Sequence, residues 1–271
     1  MWSLTLSAAK YALVIGIGHY PQIDDGWWAT SGDADVPLVC DILTANGFEK
    51  ANIITLIDSQ ATYAGIIQAF EQLTERVSRN DTVYIHYSGH GQQITDTNGD
   101  EEDGFDEAWI PYDAASRYSD TYRGERHLLD DTLNKHLHAI RAKTGAGGKI
   151  SVVADACYSG TSTRESGDNG VVRGTNPFII PNVVSPKIAP YKVSWLTLTA
   201  CKDNEVNRQV KIDGKYYGSL SYALYLLSDR IGDTPAADIT IAVKELFDHR
   251  LQRSQSPQLE GPELMKLETL L

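Results

Sequence analysis

Four short runs of β-branched and apolar residues, Tyr11 to Gly18, Asn52 to Ile57, Asp81 to Ser88 and Lys149 to Asp155, constrain this chain most. They are continuous rather than alternating, which is the pattern of strands buried on both faces of a parallel sheet. Between them, Asp35 to Asn46, Ala61 to Ser78 and Leu128 to Thr144 carry apolar residues at helical spacing, and Gly47 supplies a helix stop. Strand followed by helix, repeated, predicts an α/β fold with a mostly parallel central sheet flanked by helices on both faces. Further on, Trp195 to Thr199 reads as a strand, Gly218 to Ser228 and Ala237 to Leu251 as helices, and Glu263 to Leu267 as a late edge strand. Gln92 to Asp106 is polar, acidic and glycine-bearing, and reads as a loop. A longer loop spans 161–190, rich in Gly, Ser and Asn and holding Pro177, Pro181, Pro186 and Pro190. With 271 residues, one domain is expected.

Two of the strands deliver chemistry. Asp81 to Ser88 runs into Ser88-Gly89-His90-Gly91, and Lys149 to Asp155 runs into Ala156-Cys157-Tyr158-Ser159-Gly160. Ligands of open α/β sheets gather at the carboxyl ends of strands, and both motifs lie there. An imidazole of near-neutral pKa can take a thiol proton and return it to a leaving amine, so His90 and Cys157 read as acid/base partner and nucleophile. The small neighbours of Cys157 keep its thiol accessible and its backbone amides free. Cys40 and Cys201 read as packing residues, since free cysteine is commonly buried. His19, His86, His127, His136, His138 and His249 read as structural or solvated.

Bulk properties narrow the partners. A formal charge of −12 repels phosphate backbones and favours cationic ligands, so a nucleic-acid partner is not expected and a basic peptide is. The longest apolar runs fall short of a membrane span, and Met1 to Lys10 lacks the pattern of a secretory leader, which makes a cytoplasmic protein with no membrane partner the expectation. Three well-separated cysteines give neither a disulfide framework nor a zinc site. A monomer is the default.

At this point Tyr84-Ile-His-Tyr-Ser-Gly-His-Gly91 and Val153-Ala-Asp-Ala-Cys-Tyr-Ser-Gly160 resemble the histidine and cysteine blocks of metacaspases and their bacterial members, the orthocaspases. The likeness continues through Tyr11 to Tyr20, Gly99 to Glu107, Leu128 to Asp131, Leu198 to Asp203 and Gly218 to Tyr222. It implies a caspase-like fold in which 1–163 resembles the large subunit, 164–190 a linker and 191–271 the small subunit. It also implies a cysteine endopeptidase cutting after Arg or Lys, with Gly91 and Cys157 backbone amides holding the oxyanion. The primary pocket would then use Asp155, Ser88 and an acid at the start of the first helix, with Asp35 the best match and Asp33 its competitor. The residues agree: Asp155 lies two before Cys157, so both side chains share a strand face, and a carboxylate there suits a substrate cation.

Metacaspases that need calcium hold it with acids matching Asp103 or Asp106, Asp130 and Asp131. Arg164 stands where such relatives supply another aspartate, so no cofactor is expected to be required. Self-cleavage in the linker is expected, with Arg164, Arg173 and Lys187 as candidate sites. Two other readings stay open, an inactive caspase-like scaffold for basic partners and a calcium-responsive binding module.

Overall fold

The computed structural model describes residues 8–21, 26–158, 171–183, 193–202 and 204–271. Its centre is a six-stranded sheet built from β1 (Lys10–Gly16), β2 (Ile53–Ile57), β3 (Thr82–Ser88), β7 (Lys149–Asp155), β8 (Leu196–Thr199) and β11 (Gln258–Glu260). Spatial order is β11-β8-β7-β3-β1-β2, and every pairing is parallel except the edge pair β11 and β8. A second sheet stacks β4 (Gly91–Thr95), β5 (Phe105–Trp109) and β6 (Leu128–Leu129), and β9 (Val210–Ile212) with β10 (Lys215–Tyr217) forms a hairpin.

Helices cover both faces, as the continuous strand runs require. On one face α2 (Tyr63–Arg76) and α3 (Asp130–Thr144) pack Phe70, Leu73, Leu137 and Ile140 against Leu13, Ile15, Val83, Ile85 and Val152. On the other, α1 (Gly32–Ala45), α4 (Ser219–Leu226) and α5 (Ala236–Leu246) pack Val39, Leu43, Leu220 and Val243 against Ala12, Val14, Tyr84 and Val153. Consecutive strand residues thus alternate between two cores. No helix among the described residues is long and apolar enough to cross a membrane.

Two expectations are corrected. Gln92 to Asp106 is not all loop: Gly91–Thr95 and Phe105–Trp109 pair as an antiparallel hairpin, with Ile94 and Ala108 buried beneath polar neighbours. Its polar composition hides a strand whose buried face also carries Gln92 and Asp106. The late edge strand is Gln258–Glu260, whereas Glu263–Lys266 is a helical turn, α6. Gly261, at φ +132°, and Pro262 end the strand, and a proline is well placed to open a helix.

Strand β1 has β2 on one side and β3 on the other, so the chain steps out to β2 and then returns past β1 to β3, a reversal that opens a crevice at the carboxyl end of β1. Helix α1 begins over that crevice with no space to spare. A Cβ on Gly32 would lie 2.2 Å from the Ser88 carbonyl oxygen and 2.6 Å from the Ile17 nitrogen, all backbone. Gly32→Ala is therefore expected to lower stability by about 1–3 kcal/mol through overpacking, read by urea denaturation. A wild-type midpoint would contradict this tight seating of α1.

Candidate active site

The crevice gathers one acidic side chain from a helix and one from a strand. Ser88 and Asp155 are register partners on β3 and β7, and the alternation of faces turns both towards α1 and α4. Asp35, in the first turn of α1, meets them there; Ser88 Oγ donates to Asp35 Oδ2. All three residues are fully buried. Asp33 lies elsewhere, against Gly18.

Between the two carboxylates sits a guanidinium from the segment that follows Cys157. Arg173, itself fully buried, donates from Nη2 to Asp35 Oδ2 at 2.8 Å and to Ser31 Oγ at 2.9 Å. Its Nη1 donates to Ser88 Oγ and to the Asp155 carbonyl at 2.8 Å, and lies 3.5 Å from Asp155 Oδ1. Each carboxylate has further donors. The Gly218 N–H reaches Asp35 Oδ1 at 2.8 Å, while Asn207 Nδ2 and the Ser221 N–H and Oγ serve Asp155 at 2.7 to 2.8 Å.

The two acids respond differently. Burial pushes the Asp35 carboxyl up to about 6 despite Arg173, with the Asp155 charge adding to the rise. Burial also pushes at Asp155, but Arg173, Asn207 and Ser221 together outweigh it and hold that carboxyl below its ordinary value. Two negative charges face one positive one, which suits a site made for a single fixed cation.

The backbone around Arg173 is held like that of a peptide in a cleft. Its carbonyl oxygen accepts from the Gly91 N–H at 2.9 Å, and its N–H donates to the Asn207 carbonyl at 3.1 Å. Gln209 N–H reaches the Val171 carbonyl at 3.0 Å, and Trp28 Nε1 the Val172 carbonyl at 2.7 Å. Beyond it, Gly174 bridges to Gly91, and Phe178 exchanges hydrogen bonds with Gln93 and Thr95 of β4.

His90 and Cys157 flank this backbone, both fully buried. His90 Nε2 lies 2.8 Å from the Trp28 carbonyl oxygen, which accepts its proton and fixes the tautomer. That leaves Nδ1 as a lone-pair acceptor with no hydrogen-bond partner. Tyr20, Trp27 and Trp28 pack on the ring at centroid distances of 5.0 to 5.2 Å. Burial among them lowers the imidazole pKa to about 4, partly offset by the Trp28 bond, so the ring is neutral at pH 7. The Cys157 thiol donates to the Glu205 carbonyl at 3.2 Å. Cys201, on the neighbouring chain beyond β8, packs against the same carbonyl at 3.6 Å.

The acidic hairpin forms a separate cluster. Carboxylate oxygens of Asp96, Asp100 and Asp106 lie within 4.8 Å of one another. The Oδ1 atoms of Asp100, Asp106, Asp130 and Asp131 are buried without a hydrogen-bond partner. Burial, then repulsion from Asp130 and Asp96, raises Asp106 to about 8; burial and Asp131 raise Asp130 to about 7. The Asp96 carboxylate accepts the backbone N–H groups of Asn98, Gly99 and Glu101, and an all-oxygen set in which the four Oδ1 atoms have no donor fits a hard divalent cation. Asp103 is exposed and instead accepts the Phe105 N–H at 3.0 Å. Asp96 and Asp100 are thus brought together with Asp106, although neither is among the acids that the metacaspase resemblance implies as calcium ligands.

Other partners also escaped that reading. Asn207, Ser219 and Gln255 form a buried hydrogen-bonded chain behind Asp155, and isolated polar residues carry no local signal of burial. The Trp28 carbonyl is invisible in sequence, although the adjacent Trp27-Trp28 pair marks the aromatic wall. Arg164 and Lys187 lie outside the described residues. Of the histidines read as structural, His86 and His127 are buried, with pKa values pushed down to about 4 and about 3 by burial.

Residues 10–164 match the family model of the metacaspase, peptidase C14 domain. Metacaspase-1B of Aspergillus oryzae is 34% identical over 123 residues, 43% of this chain and 26% of that protein. Metacaspase-1A of Aspergillus niger is 32% identical over 161 residues, 56% of this chain and 36% of that protein. The matched stretches thus make up only 26% and 36% of these two relatives. The crystal structure of protein GSU0716 from Geobacter sulfurreducens shares the fold, with a TM-score of 0.65 at 24% identity over 96% of this chain and 97% of that one.

Two outcomes follow from the geometry. Arg173→Ala strands two buried carboxylates and should cost about 3–5 kcal/mol in urea denaturation. The loss should be smaller at pH 5 than at pH 8, because a proton on Asp35 removes one stranded charge; equal losses would contradict the pairing. In nitrogen-resolved NMR, His90 should hold its proton on Nε2 and remain neutral down to about pH 4, since burial has moved its pKa below 6.5. Protonation near pH 6.5 would contradict its burial.

Proposed function

This chain belongs to the metacaspase family of cysteine peptidases, and we propose that it is an endopeptidase cleaving after Arg or Lys, with Cys157 as nucleophile and His90 as acid/base partner. The observation that carries this reading is the Arg173 guanidinium held between Asp35 and Asp155, with its carbonyl oxygen on the Gly91 N–H. A basic side chain seated there brings the carbonyl that follows it to the nucleophile. We further propose that Arg173–Gly174 is the chain's own processing site. Free cysteines throughout the described residues suit a cytoplasmic setting.

Neutral His90 takes the Cys157 proton through Nδ1, and the sulfur adds to the carbonyl carbon. Negative charge passes to the carbonyl oxygen, where the N–H groups of Gly91 and Cys157 receive it. The C–N bond breaks as His90 protonates the leaving amine, leaving a thioester on Cys157. Water then attacks that thioester, with its proton passing to His90 and the thiol restored. The Trp28 carbonyl orients the imidazole, so Asp155 is free for binding. A planar fork of donors satisfies Ser31, Ser88 and both acids together, which favours Arg over the single ammonium of Lys.

Internally quenched peptides bearing Arg-Gly, Lys-Gly or Asp-Gly at the cut test the reading. Arg should be cleaved fastest, Lys more slowly and Asp not at all, with no cleavage by Cys157→Ala; preference for Asp, or cleavage by that variant, would overturn it. Asp35→Asn should lower kcat/KM for Arg by roughly two orders of magnitude. With Arg173 in place the Asp35 carboxyl sits at about 6, and losing that cation raises it further. Substrate binding needs the carboxylate, so kcat/KM should fall as pH drops through a limb at or above pH 6, and Asp35→Asn should lack that limb.

The unpartnered Oδ1 atoms of Asp100 and Asp106, with that of Asp130 at the start of α3, support a second, structural role: together with Asp96 these acids hold a hard divalent cation that relieves their mutual repulsion and that no catalytic step requires. Calcium should raise the melting temperature, more at pH 8 than at pH 6, because protons compete for Asp106 and Asp130. Cleavage should persist in chelator; a strict calcium requirement would contradict this role.

A further inference from the structure

We infer that the site reads the residue after the cut as well as the one before it, and accepts only glycine there. The inference rests on the peptidase reading above, with Arg173–Gly174 as the bond presented to Cys157. A Cβ built on Gly174 would lie 2.5 Å from the Cys157 carbonyl oxygen and 3.1 Å from both its carbonyl carbon and its Cβ. A contact of 2.5 Å is closer than Cβ atoms adopt, and the opposing atom is backbone.

That backbone cannot retreat. On the far side, Gly91 is just as tight: a Cβ there would lie 2.7 Å from the same carbonyl oxygen and 2.9 Å from the Tyr158 ring. Tyr158 is in turn held by the Trp109 indole, whose Nε1 donates to its hydroxyl at 3.1 Å. Moving Cys157 away would also move the nucleophile, so the wall and the chemistry are one object.

Nor can Gly174 move freely. The Gly91 N–H holds the Arg173 carbonyl immediately before it, and the Gln92 side chain holds the Asn176 carbonyl at 2.7 Å two residues after it. Phe178, 1% exposed, anchors the segment to β4. Backbone conformation is not what demands glycine, since Gly174 is absent from the residues at positive φ. Space alone excludes a side chain.

The requirement selects among the chain's own basic residues. Of all its Arg and Lys, only Arg123 and Arg173 are followed by glycine. Arg123 precedes a left-handed glycine, Gly124 at φ +97°, in a turn that cannot present an extended backbone to the cleft. Arg164 is followed by Glu165 and Lys187 by Ile188, so neither satisfies the wall. The substrate class is then peptides with Arg-Gly at the cut, a class narrower than basic residues in general.

Two measurements test this together. The wild-type enzyme is given quenched peptides that differ only in Arg-Gly, Arg-Ala or Arg-Val, and self-cleavage is timed in the full chain for wild type, Gly174→Ala and Cys157→Ala. We expect kcat/KM to fall roughly ten-fold or more from Gly to Ala and further to Val, with self-cleavage slowed by a similar factor in Gly174→Ala. The peptide series uses the unaltered protein, so a folding defect in Gly174→Ala cannot mimic the result. Equal cleavage of Arg-Gly and Arg-Ala peptides would overturn the inference and leave the peptidase reading standing. Cleavage of none of the peptides, with no self-cleavage, would overturn the peptidase reading itself.

Discussion

The ion group of Arg173 with Asp35 and Asp155 is the interaction on which the rest of this structure turns. Burying three charges is costly, and it is tolerated because every oxygen and most of the guanidinium protons find partners. Those partners come from distant parts of the chain: Ser31 ahead of α1, Ser88 at the end of β3, Asn207 after β8, and Gly218 and Ser221 at the start of α4. The cation therefore organises the crevice at the strand ends and ties the last third of the chain to the first half. It also sets the position of its own carbonyl group, and through it of the backbone that crosses His90 and Cys157.

The site follows from elementary features of the sheet. Alternation along β3 and β7 sends Tyr87 and Ala154 to one core and Ser88 and Asp155 to the other. The reversal of strand order beside β1 leaves room for a helix start, and Gly32 lets α1 come close enough for Asp35 to enter. His90 and Cys157 lie just past the same strand ends, on loops that turn away from the pocket acids. Asp35 and Asp155 are thereby separated from His90 and Cys157 by only a few residues at the end of β7 and a short crossing of the crevice, while the carbonyl of Trp28 fixes the His90 ring.

Much of this was legible in sequence. Strand runs of β-branched residues and the helical spacing between them led to the sheet, and the motifs at two strand ends led to His90 and Cys157. Asp155 and Asp35 were singled out by the metacaspase resemblance, with the two-residue spacing from Cys157 in keeping with the first and Asp33 left as a competitor of the second. What stayed hidden was long-range or backbone in nature: the Trp28 carbonyl, the chain from Asn207 to Gln255, and the β4–β5 hairpin whose polar residues are buried by neighbours far away in sequence. Arg173 was visible as one of three basic linker residues, but nothing local distinguishes it from Arg164 or Lys187. Only the fold brings its guanidinium to the two acids.

The central claim is that the chain presents its own Arg173 to Cys157 as a substrate presents its basic residue. Intact-mass analysis of freshly purified wild type and Cys157→Ala tests it most directly. The account predicts that wild type resolves into fragments 1–173 and 174–271, while Cys157→Ala stays whole. Fragments ending at any other residue, or the same fragments from Cys157→Ala, would contradict it.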